Sequence, residues 1–298
     1  MFVSERVGIC ALVIRYRACE EEPYAAPDLP PAHGRMTRMH ASLAAGRSIT
    51  VGLGDATLFR YSYGAALPRL TGLRTTAGAE LAATVAWTPP HAEPGDAVHD
   101  TLTELSATAS TATIAHHLRW AAVDEWRSLT ASVSGDAWLL LFENTITNVS
   151  GRPLPLTGPS LSLRAIAAPS AARSEWQAAT DPAGTLVVVD DSANLQHPPR
   201  WSAGLSPAPF GAEVVTLGTH KTIAFRYAVL TAPPGSDAPD LAARGRDALT
   251  GPLPAARDAA RGHLCHGEHT RRGPLHRTRA HALPRQCESR TGGTPPLA

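Results

Sequence analysis

Between about residue 40 and residue 232, short runs of alternating apolar and polar side chains follow one another, separated by turn residues. No other feature constrains the fold as much, because a period of two places every second side chain on one face of a strand. Ser48 to Leu53 and Ala56 to Tyr63 flank a Gly54-Asp55 turn, a hairpin signature. Further strands are expected at Glu80 to Trp87, Thr111 to Trp120, Trp126 to Val133, Ala137 to Thr147, Thr185 to Val189 and Thr222 to Leu230. Ser134-Gly135-Asp136, Asn148 to Gly151, Ala183-Gly184 and Leu217-Gly218 mark turns between them. Eight or more such runs predict an all-β chain built as an antiparallel β-sandwich or barrel. A single helical pattern, Ala238 to Leu249, closes the pattern, with Asp240 in its first turn. At 298 residues the chain has room for one large sandwich, and we expect it over 41–251.

Charge and motifs exclude several function classes. Lys and Arg number 27 against 26 acids, a net charge of +1, which argues against nucleic acid as a partner. No apolar run approaches the roughly 18 residues of a membrane span. There is no Gly-rich dinucleotide or phosphate loop, no H-E-x-x-H and no G-x-S-x-G, so no cofactor is expected. A cytoplasmic location is expected: Glu5 occupies the would-be basic region of a signal peptide, and no A-x-A site follows.

The two ends differ from the middle. Residues 1–40 carry Cys10, Cys19, an acidic run at Glu20 to Glu22 and a Pro-rich stretch, and are expected to form a poorly ordered arm; regular patterning starts just after Met36 and Met39. Val7 to Ile14 is the one segment of that arm suited to an edge strand. Residues 252–298 hold eight Arg, three acids and five His but only five widely spaced leucines, and are expected to be a disordered basic tail. That tail reads either as an arm for an acidic partner or as an end without function, such as a frame-shifted one; the second is favoured because it cannot bury a core. Cys265, His266, His269 and Cys287 fit no zinc-ligand spacing, and with all four cysteines in the two ends no metal site is expected.

Several segments resemble a known group. Trp138 to Leu154, reading WLLLFENTITNVSGRPL, is similar to one stretch of bacterial proteins named methane oxygenase PmoA, and Gly184 to Trp201, reading GTLVVVDDSANLQHPPRW, is similar to another. Pro207 to Phe210, Ile223 to Val229 and the Ala56 to Tyr63 strand follow in the same order, so the resemblance spans about 42–250. It implies an all-β sandwich of the mutarotase-like supersandwich kind and a link to sugar catabolism. The membrane copper enzyme of the family name does not suit a chain without an apolar span. The chain also departs from the group: Thr71 stands where a motif His falls, and the His-rich loop shrinks to Pro89-Pro90-His91. It resembles a trimmed member.

Candidate catalytic residues are His197, Asp190 and His91. An imidazole and a carboxylate at the exit of a strand suit acid–base work on a hydroxyl, and His91 stands in the residual His loop. Candidate substrate-binding residues are Arg74, matching a motif Arg, Asp191, and Trp201, whose ring suits stacking on a sugar. For each a plain structural role competes: a turn and cap for Asp190, Asp191 and His197, a surface ion pair for Arg74, core packing for Trp201 and for Trp87, Trp120, Trp126 and Trp138. His116 and His117 point to opposite faces and are expected to serve solvent-facing roles, and Glu143 to join a cross-strand charge pair. The functional expectation is a carbohydrate-linked sandwich protein that binds or processes a sugar derivative, with a small-molecule ligand and neither nucleic acid nor membrane as partner. The alternative is a non-catalytic binding or scaffolding module that has lost the His cluster.

Overall fold

In the computed structural model, the described residues are 38–250, except for 82–83, 92–93, 159–160, 165–172 and 203–204. The chain divides into two units, Met1–Met36 and Thr37–Ala298. The expectations for the first 36 residues, the basic tail and all four cysteines lie outside the described residues.

Two antiparallel sheets face each other, as the alternation predicts. The first contains, in spatial order, β1 (Met39–Ala44), β2 (Ser48–Leu53), β3 (Ala56–Ser62), β4 (Arg69–Thr71), β5 (Thr84–Trp87) and β11 (Leu161–Arg164). The second contains β12 (Trp176–Asp181), β13 (Gly184–Asp190), β17 (Thr222–Ala232), β9 (Ala137–Asn148), β8 (Val123–Ser134), β7 (Thr111–Arg119) and β6 (Val98–Ala107). Two small ribbons complete the strands: β10 (Leu154–Gly158) with β16 (Phe210–Leu217), and β14 (Arg200–Ser202) with β15 (Ser206–Ala208). β1 starts at Met39, two residues before the expected domain boundary.

One core fills the space between the sheets, with Phe59, Trp87, Trp138, Phe142, Val188 and Phe225 among its members. A second core lies on the opposite side of the seven-stranded sheet, under helix α1 (Ala238–Ala248), and holds Val187, Val189, Leu230 and Leu241. Leu186 to Val189 of β13 and Ala228 to Leu230 of β17 therefore need apolar side chains on both faces, and read as short continuous apolar runs instead of alternating ones. Gly245 lets the helix approach: a Cβ there would stand 2.7 Å from Val189 Cγ2 and 2.9 Å from Leu230 Cδ1. This packing fixes the C-terminal end of α1 next to the end of β13, where the cleft described below opens.

Candidate functional site

Asp190 is the last residue of β13, and the chain turns out of the sheet immediately after it. Asp191 Oδ1 accepts the Ala193 amide at 2.9 Å, and the Asp191 carbonyl accepts the Asn194 amide at 2.9 Å, so the turn folds on itself. Asn194 locks that turn to β17: its Nδ2 donates to the Arg226 carbonyl at 2.7 Å and to Asp190 Oδ1 at 2.8 Å, and its Oδ1 accepts the Arg226 amide at 2.9 Å. Gln196 in a left-handed conformation and a cis His197–Pro198 bond bring the chain back, and His197 Nδ1 meets Asp190 Oδ2 at 2.7 Å.

These residues border a cleft of about 420 Å³, lined by Glu175, Asp190, Asp191, His197, Arg246 and Leu249 with their neighbours. Its volume falls within the ordinary size range of small-molecule sites. The Asp190 carboxyl is buried, which pushes its pKa up to about 6, while the hydrogen bonds from Asn194 and His197 oppose the rise. His197 Nε2 has no partner among the described residues, so the dyad presents one imidazole nitrogen oriented by a carboxylate through the other. Behind the cleft, the buried Arg226 guanidinium reaches Asp191 Oδ2 and Glu143 Oε1, both at 3.2 Å, and donates to the Leu249 carbonyl at the end of α1. Glu143 thus makes the expected cross-strand pair, in register with Arg226. At the rim Arg246 and Glu175 form a looser pair at 3.6 Å. The arrangement can give a proton to, or take one from, a hydroxyl placed against His197, and can accept hydrogen bonds from its neighbours.

The other candidates lie elsewhere. His91 borders a separate cleft of about 560 Å³ with Ser150, Arg152 and Thr157. Arg74 pairs with Glu80 at 3.0 Å at the surface, while its carbonyl accepts the Trp138 indole proton at 2.6 Å. Trp201 is corrected to a core residue: it is 3% exposed and donates to the Ser174 carbonyl, leaving no ring face for a sugar. Trp87, Trp120, Trp126 and Trp138 are buried too. His116 is also corrected. It faces the interior at 1% exposure, because its parity on β7 is that of the core residues Ile114 and Leu118.

The sequence reading missed Asn194, whose side chain ties the turn to β17, and Glu175 and Arg246, which only the tertiary fold brings to the rim. It also missed a polar cluster sealed between the sheets. Arg127 Nε donates to Glu125 Oε1 at 2.6 Å, Nη2 to Glu125 Oε2 at 3.0 Å and Nη1 to the Tyr61 hydroxyl at 3.0 Å, while the Trp120 indole donates to Glu125 Oε2 at 2.8 Å. Burial pushes the Tyr61 pKa up to about 12 and raises that of Glu125. For Arg127 burial works the other way, and the neighbouring Glu125 and Tyr61 outweigh it, so its pKa rises. The signal was present as two charged residues at successive inward positions of a strand, between Val123 and Leu129.

Among the described residues no group of three or more His, Cys, Asp and Glu is placed to hold a metal, and no helix is long and apolar enough to cross a membrane. The sequence matches no protein-family model, and no curated protein is significantly similar to it.

Proposed function

We propose that the cleft at the end of β13 binds a hydroxylated, sugar-like small molecule, with His197 as the proton-transferring group and Asp190 as the carboxylate that orients it. The carrying observation is the 2.7 Å contact between His197 Nδ1 and buried Asp190 Oδ2 at the wall of a ligand-sized cleft. The resemblance of Gly184 to Trp201 to the PmoA-named proteins supports the same segment, and membership of that group, with a cytoplasmic setting in sugar metabolism, goes with this reading. Asp191 and Glu175 add acceptors for ligand hydroxyls. A chemical-shift titration of the full chain with aldoses, keto-sugars and uronic acids tests it. Saturable shifts around 190–197 that vanish in His197→Ala are expected, and the absence of binding to every sugar would sink it.

A second reading, a binding module without catalysis, is favoured by the separation of His91 from the Asp190–His197 cleft. Under it the same sugars bind, and product analysis of the bound ligand finds no conversion.

A further inference from the structure

A pair of histidines lies at the far edge of the seven-stranded sheet. His99 on β6 is half-buried, and its Nδ1 stands 3.2 Å from Nδ1 of the buried His116 on β7. Their ring centroids are 5.4 Å apart. That excess over the nitrogen separation is close to one imidazole diameter, so both nitrogens lie near the line joining the rings. Their lone-pair directions meet head-on, as in a hydrogen bond, and do not converge on a point to one side, as they would on a metal.

One proton arrangement satisfies every member of the chain that follows. Arg127 can only donate, so Tyr61 oxygen accepts from its Nη1. The buried Tyr61 hydroxyl proton then needs an acceptor, and His116 Nε2 at 2.7 Å is the one within reach among the described residues. A neutral imidazole that accepts at Nε2 carries its hydrogen on Nδ1, so His116 donates to His99 Nδ1. His99 therefore holds its own hydrogen on Nε2. The chain runs in one direction from the buried Glu125–Arg127 pair to the half-buried His99.

We infer that this His99–His116 contact is an acid-released latch that holds the edge strand β6 to the interior. A proton taken from solvent at His99 Nδ1 occupies the lone pair that accepts from His116, and two N–H groups then face each other. If His116 moves its hydrogen to Nε2, it confronts the Tyr61 O–H, whose proton is left without an acceptor. Either outcome costs a buried hydrogen bond.

The surroundings support neutrality of both rings. His99 meets Tyr63, the residue after β3, with ring centroids 4.6 Å apart, and has Asp100 beside it on its own strand, itself paired with Arg119 of β7. His116 meets Tyr61 of β3, Tyr63 just beyond that strand and the charged Arg127 of β8, with His117 next to it. β1, which also touches β6, carries His40, and that ring lies against Gly52 of β2. Burial lowers the pKa of His99 and, with Arg127, lowers that of His116 further.

β6 is the element free to respond. It pairs on one side only, its ladder with β7 is interrupted between His99 and Thr101 and between Leu102 and Glu104, and most of its side chains are exposed. Its release uncovers the β7 edge, a row of unpaired backbone groups open to strand pairing.

Hydrogen exchange on the full chain at pH 7.5 and 5.5, corrected for the intrinsic pH dependence of exchange, tests the latch. Protection over 98–107 is expected to fall about tenfold at pH 5.5, since each pH unit below an unperturbed His pKa is worth about a factor of ten per proton. Protection in β9 and β17 is expected to hold. In His99→Gln the pH dependence disappears while the fold is kept, and nitrogen NMR at pH 7.5 shows the Nδ1–H tautomer of His116. Equal protection at both pH values, an unchanged acid response in His99→Gln, or an Nε2–H tautomer at His116 would each overturn the inference.

Discussion

The cleft at the end of β13 and the sealed cluster between the sheets are built from similar side chains and do different things. Each holds a histidine, carboxylates and a buried arginine: His197 on Asp190, with Arg226 behind on Asp191, in one, and His116, linked through Tyr61 to the Arg127–Glu125 pair, in the other. In the cluster the donors and acceptors are turned toward one another, and Arg127 and Glu125 are 1% and 0% exposed. In the cleft the charged partners stand behind, and His197 is left with a nitrogen toward the opening. What separates a site from a scaffold here is the direction of the last unpaired polar atom, not the residue inventory.

The largest effect is expected from breaking the sealed cluster. Arg127→Met leaves Glu125 charged and unpaired in the core, and a loss of about 3–5 kcal/mol should appear in urea unfolding. The double variant Glu125→Leu with Arg127→Met should recover most of that loss, since no buried charge remains. At the cleft, His197→Ala removes one charged hydrogen bond but leaves Asn194 on Asp190; about 1.5–3 kcal/mol is expected, together with loss of the proposed sugar binding.

The two regions also respond to acid with opposite signs. Asp190 has a raised pKa, so its contribution to stability is full below the unfolded value of 3.8 and is lost as pH rises through about 6. His99 and His116 have lowered pKa values, so theirs is full above 6.5 and is lost as pH falls through the folded values. Asp190→Asn should therefore steepen the fall in stability between pH 6 and 5, by about 1 kcal/mol over that interval, in unfolding curves taken across it. The smallest effect is expected at the surface pair: Arg74→Ala should change stability by about 1 kcal/mol or less, because both side chains are substantially exposed.

Much of the architecture was legible in the sequence because it depends on local periodicity. Ser48 to Leu53, Ala56 to Tyr63, Ala137 to Thr147 and the helix from Ala238 fall where the pattern puts them. β6 and β12 were not legible: their side chains are largely exposed or half-buried, and a strand that buries little carries little alternation. Asp190, Asp191 and His197 were readable together because a short turn after a strand keeps neighbours in sequence close in space. By residue type His91, Arg74 and Trp201 are equally suited, since residue type says nothing about which of several separated positions will meet.

The sequence alone thus determined the class of fold, the position of eight of the seventeen strands among the described residues and the turn that carries a His–Asp pair, because each follows from interactions within about ten residues. Only the tertiary structure decided the rest. Docking of α1 through Gly245 brings Arg246 and Leu249 to the cleft, the register of β17 on β9 sets Arg226 opposite Glu143, and the facing of β3 and β8 joins Tyr61 to Arg127. Those contacts bridge tens of residues, and their energies depend on burial, a property that no stretch of sequence has until the sheets close on each other.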